Sequence, residues 1–336
     1  MKRKFFVFLA VIVFLTAFLP FDAAYAEPTE VEVYLGGTHL SVDMVTDGLV
    51  VVGFAEVPTA AGMLSPAKAA GLAVGDVLWA IDDAPVRTRY DVQRALLAAE
   101  GGTVSLSVAR DGQSLTLFTT PAYVATDGYL LGVYLREGVE GVGTLTYVRA
   151  GDHTFAALGH GVEDPDTGGL PAPFRAKVYA SRITDVVKGK AGEAGELRGA
   201  VGEGSPIGTV TANTPLGLYG HADEAMYAGR PKVKVASRGE VKEGDAVVVC
   251  ALRDEAPRGY AVRITAVRRQ SSPEPKGISL QVTDPRLLAA TGGIVQGMSG
   301  SPILQNGRLV GAVTHVLVDD PTSGYGVYID FMLAEG

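Results

Sequence analysis

The sequence predicts a mainly β protein in two units: a small α+β barrel over residues 31–121, then an all-β domain over residues 129–336. Three observations carry this reading. From residue 129 onward, strand-like apolar segments recur about every ten residues, punctuated by Gly, Pro and Asp. Glycine is abundant, at 43 of 336 residues, and aromatics make up only 7%, which suits short strands and tight turns. Within the first unit a helical apolar spacing stands out, at Val92, Leu96 and Leu97. The chain is 47% hydrophobic, enough to bury real cores, and its length fits two domains or more.

The elements follow in order. Residues 1–26 carry a basic start at residues 2–4, an apolar run over residues 5–21 broken by Pro20, and the small-x-small sequence Ala24, Tyr25, Ala26. This is the pattern of a cleaved signal peptide or of an uncleaved membrane anchor, and either one exports the protein. The net charge of −8 and the lack of a basic run beyond the extreme N-terminus argue against a nucleic-acid partner. With Cys250 as the single cysteine, at the end of the apolar run AVVVC, no disulfide forms within the chain, and the thiol reads as buried and inert. No Cys/His grouping has metal-ligand spacing, and no metal or cofactor is expected.

In the first unit, GLVVVGF is a buried strand. SPAKAAGLAVGDVLWAID reads as a short helix, a turn and a strand. YDVQRALLAA is the main helix, ended by Gly101 and Gly102. TVSLSVARDGQSLTLFTT is a hairpin about Asp111 and Gly112. The stretch SPAKAAGLAVGDVLWAIDDAPV resembles the core signature of PDZ domains in exported bacterial proteases. Such domains take an extended peptide as an added strand beside a helix. The resemblance places the peptide-binding loop at Asp47, Gly48, Leu49 and Val50, facing the helix of residues 90–99. In the second unit, VVKGKAGEAGELRGAVGEG is charged and glycine-rich and is expected to be an exposed loop.

Chemistry enters with GGIVQGMSGSPILQNGRLVGAVTHV, residues 292–316. A serine among glycines lets the backbone fold tightly and aim its amides inward, as an acyl-transfer site needs. The same hexamer also makes an ordinary turn before a strand, so a base must be found. His160, between glycines after the apolar stretch TFAALG, is free of bulky neighbours and suited to face a cleft. His315 alternates within a strand and reads as structural. His153 and His221 lie in polar turns. The motif GMSGSP resembles the nucleophile loop of chymotrypsin-like proteases, usually G-D-S-G-G-P. By that likeness Ser299 is the nucleophile, the amides of Gly297 and Ser299 form the oxyanion hole, and Ser301 is a bystander. Met298 replaces the usual acidic residue, so the buried ion pair that activates many secreted relatives has no counterpart.

The long C-terminal stretch VTDPRLLAATGGIVQGMSGSPILQNGRLVGAVTHVLVDDPTSGYGVYIDFML resembles the SpoIVB (stage IV sporulation protein B) peptidase family, and GVGTLTYV and FAALGHGVEDPDTG match the start of that peptidase domain. The resemblance implies His160, Asp284 and Ser299 as the catalytic set. Asp164 and Asp166, sequence neighbours of His160, are the alternatives to Asp284 for orienting the imidazole; otherwise they form a turn. It further implies an exported serine endopeptidase of spore formation, placed between the forespore and mother-cell membranes. Such an enzyme cleaves itself and then a regulatory membrane protein, which triggers pro-sigma-K processing. Two other readings fit the same residues: a broad-specificity envelope protease, and a non-catalytic PDZ scaffold. A serine-directed covalent probe separates the scaffold from both enzymes.

Overall fold

The computed structural model describes residues 31–59, 62–200, 204–253 and 255–336. The expected export segment, residues 1–26, lies outside them. Among the described residues no helix is long and apolar enough to cross a membrane.

Strand β1 (Glu32–Leu35) leads into a long strand, β2 (His39–Phe54). The small α+β unit then follows: β3 (Val77–Ile81), helix α1 (Arg89–Ala98), and the hairpin β4 (Val104–Arg110) and β5 (Gln113–Thr119). Thr88 caps α1 in a reciprocal capping box with Asp91, satisfying two amides that the first turn leaves open. Asp111 and Gly112 both take positive φ, 49° and 75°, as a two-residue hairpin turn requires.

The chain returns in β6 (Val133–Arg149), which pairs antiparallel with β2 from Phe54–Val133 to His39–Thr144. These two strands are shared between the units. Leu40, Val42 and Met44 of β2 pack with Leu145, Phe155 and Leu218. Leu49 and Val51, further along the same strand, pack instead with Leu78, Ile81, Leu96 and Leu106. The expected division at residues 121 and 129 thus runs between two strands that each serve both cores. The core changes partway along β2 and β6, and the small unit is inserted between their two halves.

After β6 come β7 (Thr154–Ala157), β8 (Pro173–Ala180), the hairpin β9 (Arg182–Val187) and β10 (Glu196–Ala200), β11 (Gly208–Thr214) and β12 (Gly217–Ala222). The pairings β2–β6–β7–β12–β11–β8–β2 close a six-stranded ring. A second closed barrel of six strands comprises β13 (Gly244–Cys250), β14 (Arg258–Val267), β15 (Ile278–Val282), β16 (Pro302–Gln305), β17 (Arg308–Val316) and β18 (Ser323–Tyr328). Helix α2 (Pro285–Thr291) follows β15. The protein is mainly β, with a small α+β unit and a two-barrel domain. Closure removes the exposed edges that open antiparallel sheets must otherwise protect. Cys250 is fully buried, and burial pushes its thiol up to about 12, which leaves it unreactive.

Candidate active site

Ser299 lies in the loop between α2 and β16. Gly297 and Gly300 on either side both have φ of 93°, a region that strains side chains. A Cβ at Gly300 would stand 2.1 Å from the Thr144 carbonyl oxygen, so only glycine fits there. The Ser299 hydroxyl donates to the Thr314 carbonyl oxygen at 3.0 Å. That carbonyl is available because the β17–β18 register shifts between Val313 and His315, a bulge that re-aims the strand at this point.

The two amides that the sequence picks out as oxyanion donors are Gly297 and Ser299. Among the described residues neither donates a hydrogen bond. Their directions are nonetheless fixed, because a trans peptide points its N–H opposite to its C=O. The Gln296 carbonyl accepts from the Leu197 amide at 2.8 Å, which turns the Gly297 N–H away from β10. The Met298 carbonyl accepts from the Ser301 amide at 2.9 Å, which orients the Ser299 N–H in the same manner. Leu197 belongs to the segment expected to be an exposed loop. It is instead the β9–β10 hairpin, with Leu197 buried beneath Gly297 and Glu196 bridged to Gln296.

His160 follows β7 by three residues. Its Nδ1–H donates to the Gly161 carbonyl at 2.8 Å, which leaves Nε2 as the basic nitrogen. The His160 ring lies 5.8 Å from the His315 ring, centroid to centroid. His315 was expected to be structural, but it borders the site. Burial, then Lys276 and His160, lower its imidazole to about 4, and its buried Nδ1 has no hydrogen-bond partner among the described residues. No hydrogen bond joins Ser299 to His160 here; catalytic contacts of this kind often tighten only when substrate is bound.

The carboxylates sit differently from the expectation. The structure does not join Asp284 to His160 by any hydrogen bond. Asp284 is the N-cap of α2: it accepts from the Arg286 amide and guanidinium and from the Ala261 amide. The Arg286 guanidinium holds it well below the usual carboxylate range. Asp164 is buried against Arg136 and accepts from the amides of Asp166 and Thr167; Asp166 also pairs with Arg136. All three carboxylates are engaged elsewhere, and the tautomer of His160 is set by a backbone carbonyl. Ser301 is fully buried, and its hydroxyl has no hydrogen-bond partner among the described residues. Among the described residues no cluster of His, Cys, Asp and Glu is placed to hold a metal ion.

The expected peptide-binding residues are also corrected. Gly48 is closed in: a Cβ there would meet Val77 at 2.7 Å. Leu49 and Val50 are buried and pair with Leu78 and Val77 of β3, while Val50 also pairs with Arg136 of β6. Both edges of the strand are occupied, so no peptide can add to it. An open groove lies instead between α1 and residues 129–135, with a volume of about 380 Å³, walled by Val92, Gln93 and Leu96 on one side and Leu131, Gly132 and Val133 on the other. Among the described residues, 133–135 pair only with β2, and they line this groove. The signal for it was present in LLGV, an apolar pair, a glycine and a strand start. A Cβ on Gly132 would run into the Ala55 carbonyl oxygen at 2.5 Å.

Against known proteins, residues 127–333 match the SpoIVB peptidase S55 family, well over half of the chain. The chain belongs to the SpoIVB peptidase S55 family. Residues 40–120 match a PDZ domain. This family member is thus a PDZ-containing serine peptidase, and peptides or proteins are its substrates. No curated protein matches the chain. Among solved structures it is similar to an inactive serine-to-alanine mutant of Rv3671c from M. tuberculosis H37Rv, at 16% identity over 57% of this chain and 78% of that one, with a TM-score of 0.33. Below a TM-score of 0.5 this likeness carries no structural inference.

Proposed function

We propose that this S55 peptidase is an exported endopeptidase of sporulation signalling that cleaves itself and then a regulatory membrane protein, so releasing pro-sigma-K processing. The observation that carries the chemistry is the loop of Ser299, with two oriented and unspent amides beside a histidine that keeps a free nitrogen. In the reaction Ser299 releases the Thr314 carbonyl and gives its proton to His160 Nε2 as Oγ bonds the scissile carbon. The carbonyl oxygen takes the electron pair and is held by the amides of Gly297 and Ser299. Collapse breaks the C–N bond, and His160 returns the proton to the leaving amine. Water, deprotonated by His160, then hydrolyses the acyl ester.

The N-terminal sequence of residues 1–26 supports export to the space between forespore and mother cell, as signal or anchor. The α1 groove supports recruitment of an extended segment, either the enzyme's own or that of the membrane regulator. The test is purified full-length chain, alone and with a candidate membrane regulator or casein. The proposal expects the chain to shorten itself, Ser299→Ala to stop this, and the regulator to be cut at defined bonds. Indiscriminate digestion of casein with the regulator intact would replace signalling with a degradative role.

A further inference from the structure

Thr144, in β6, is buried and touches both halves of the site. Its N–H donates to the Ser299 carbonyl at 3.0 Å, and its own carbonyl accepts from the Leu158 amide at 3.1 Å, two residues before His160. Its hydroxyl donates to the Gly297 carbonyl at 2.7 Å. The same hydroxyl lies 3.3 Å from His39 Nδ1, while His39 Nε2–H donates to the Ala251 carbonyl at 2.8 Å. With one proton to give, the hydroxyl serves the shorter contact, and the His39 ring limits its rotation. One strand residue therefore ties the nucleophile loop to the turn that bears the base.

The hydroxyl bond matters because of what it restrains. Gly297 has the conformational freedom of a glycine and carries an oxyanion amide. The Leu197 amide, through the Gln296 carbonyl, fixes the peptide on its N-terminal side; the one on its C-terminal side is held at both ends, by the Met298 amide on the Val295 carbonyl at 3.1 Å and by the Thr144 hydroxyl on the Gly297 carbonyl. Resting on the Ser299 reading above, we propose that Thr144 is a positioning residue whose hydroxyl, by holding the Gly297 carbonyl, steadies the peptide that links the two oxyanion amides of Gly297 and Ser299. Without it the loop keeps its backbone bonds to β6, Leu197 and Val295, but the Gly297 carbonyl loses its restraint and the linking peptide gains a looseness that the transition state must then freeze.

The test uses full-length protein and saturation kinetics with a fluorophosphonate probe, which forms an oxyanion-like centre at an activated serine. Thr144→Val keeps the shape and removes the donor; Thr144→Ser keeps the donor. Thr144→Val should lower the maximal labelling rate by roughly 10- to 100-fold while leaving the half-saturating probe concentration unchanged. Thr144→Ser should restore most of that rate. If the valine variant does not fold, Thr144→Cys, of similar volume and a weaker donor, replaces it with the same expectation. A folded variant lacking the hydroxyl that labels as fast as the wild type would overturn the positioning role alone. A folded wild type that does not label would overturn the peptidase reading, and this inference with it.

Discussion

Asp284 and Arg286 close on each other at the start of α2: the guanidinium meets the carboxylate through Nε at 3.1 Å and Nη2 at 2.7 Å, and the Arg286 amide adds a third bond at 2.8 Å. This geometry caps a helix and leaves nothing for a histidine. Asp284→Ala should therefore cost stability, about 0.5–2 kcal/mol as for other lost N-caps. Arg286 is largely exposed, so the ion pair itself adds little. The labelling rate of the folded fraction should stay within several-fold of wild type. A loss of about 10⁴ in a variant of unchanged thermal midpoint would restore Asp284 as the acid.

His315 gives a pH signature. Its folded-state value near 4 lies below the ordinary 6.5, so the unfolded chain binds the proton more readily in that window. Stability should fall as pH falls from 6.5 to 4. The groups that face the ring are Lys276, which also lies over the Tyr325 ring, and His160. His315→Gln should flatten part of this slope, and His39, lowered by burial, should keep the rest. Thermal midpoints measured across the window would show it; identical slopes in the two proteins would rule the effect out.

The groove beside α1 is open to a direct test at Gln93, an exposed residue of its wall. Gln93→Trp should fill the groove without disturbing either barrel. Labelling by a small fluorophosphonate should be unchanged, and self-cleavage should slow. Gly48→Arg should behave differently, unfolding the small unit, because its new side chain enters Val77. If Gln93→Trp processes itself at the normal rate, the groove takes no part in self-cleavage.

Much of this was legible in sequence because the signals were local. The Asp111-Gly112 hairpin, the α1 helix and the buried Cys250 each follow from a handful of neighbouring residues. The motif points to Ser299 over Ser301 as nucleophile, and the structure buries only the second completely. What the sequence concealed was long-range pairing. The sharing of β2 and β6 between two cores depends on partners about ninety residues apart in the chain, beyond any periodicity argument. Residues 186–204 looked like a loop because their glycines and charges are those of an exposed segment, while the contacts that order the hairpin over residues 182–200, with Gln296 and Thr291, come from far along the chain. Thr144 was invisible for the same reason: a threonine in an apolar strand carries no mark of the carbonyl it will meet. The resemblance implies a catalytic role for Asp284, while its local context, Asp-Pro-Arg, is also a helix start, and the structure places it as that helix's N-cap.

The central claim is that Ser299 is an activated nucleophile. It is tested most directly by treating the folded full-length protein with a fluorophosphonate and mapping the adduct by peptide mass spectrometry. The account predicts one adduct, on Ser299, that is absent from Ser299→Ala and retained in Ser301→Ala. An adduct on Ser301, or none on a correctly folded wild type, would contradict it.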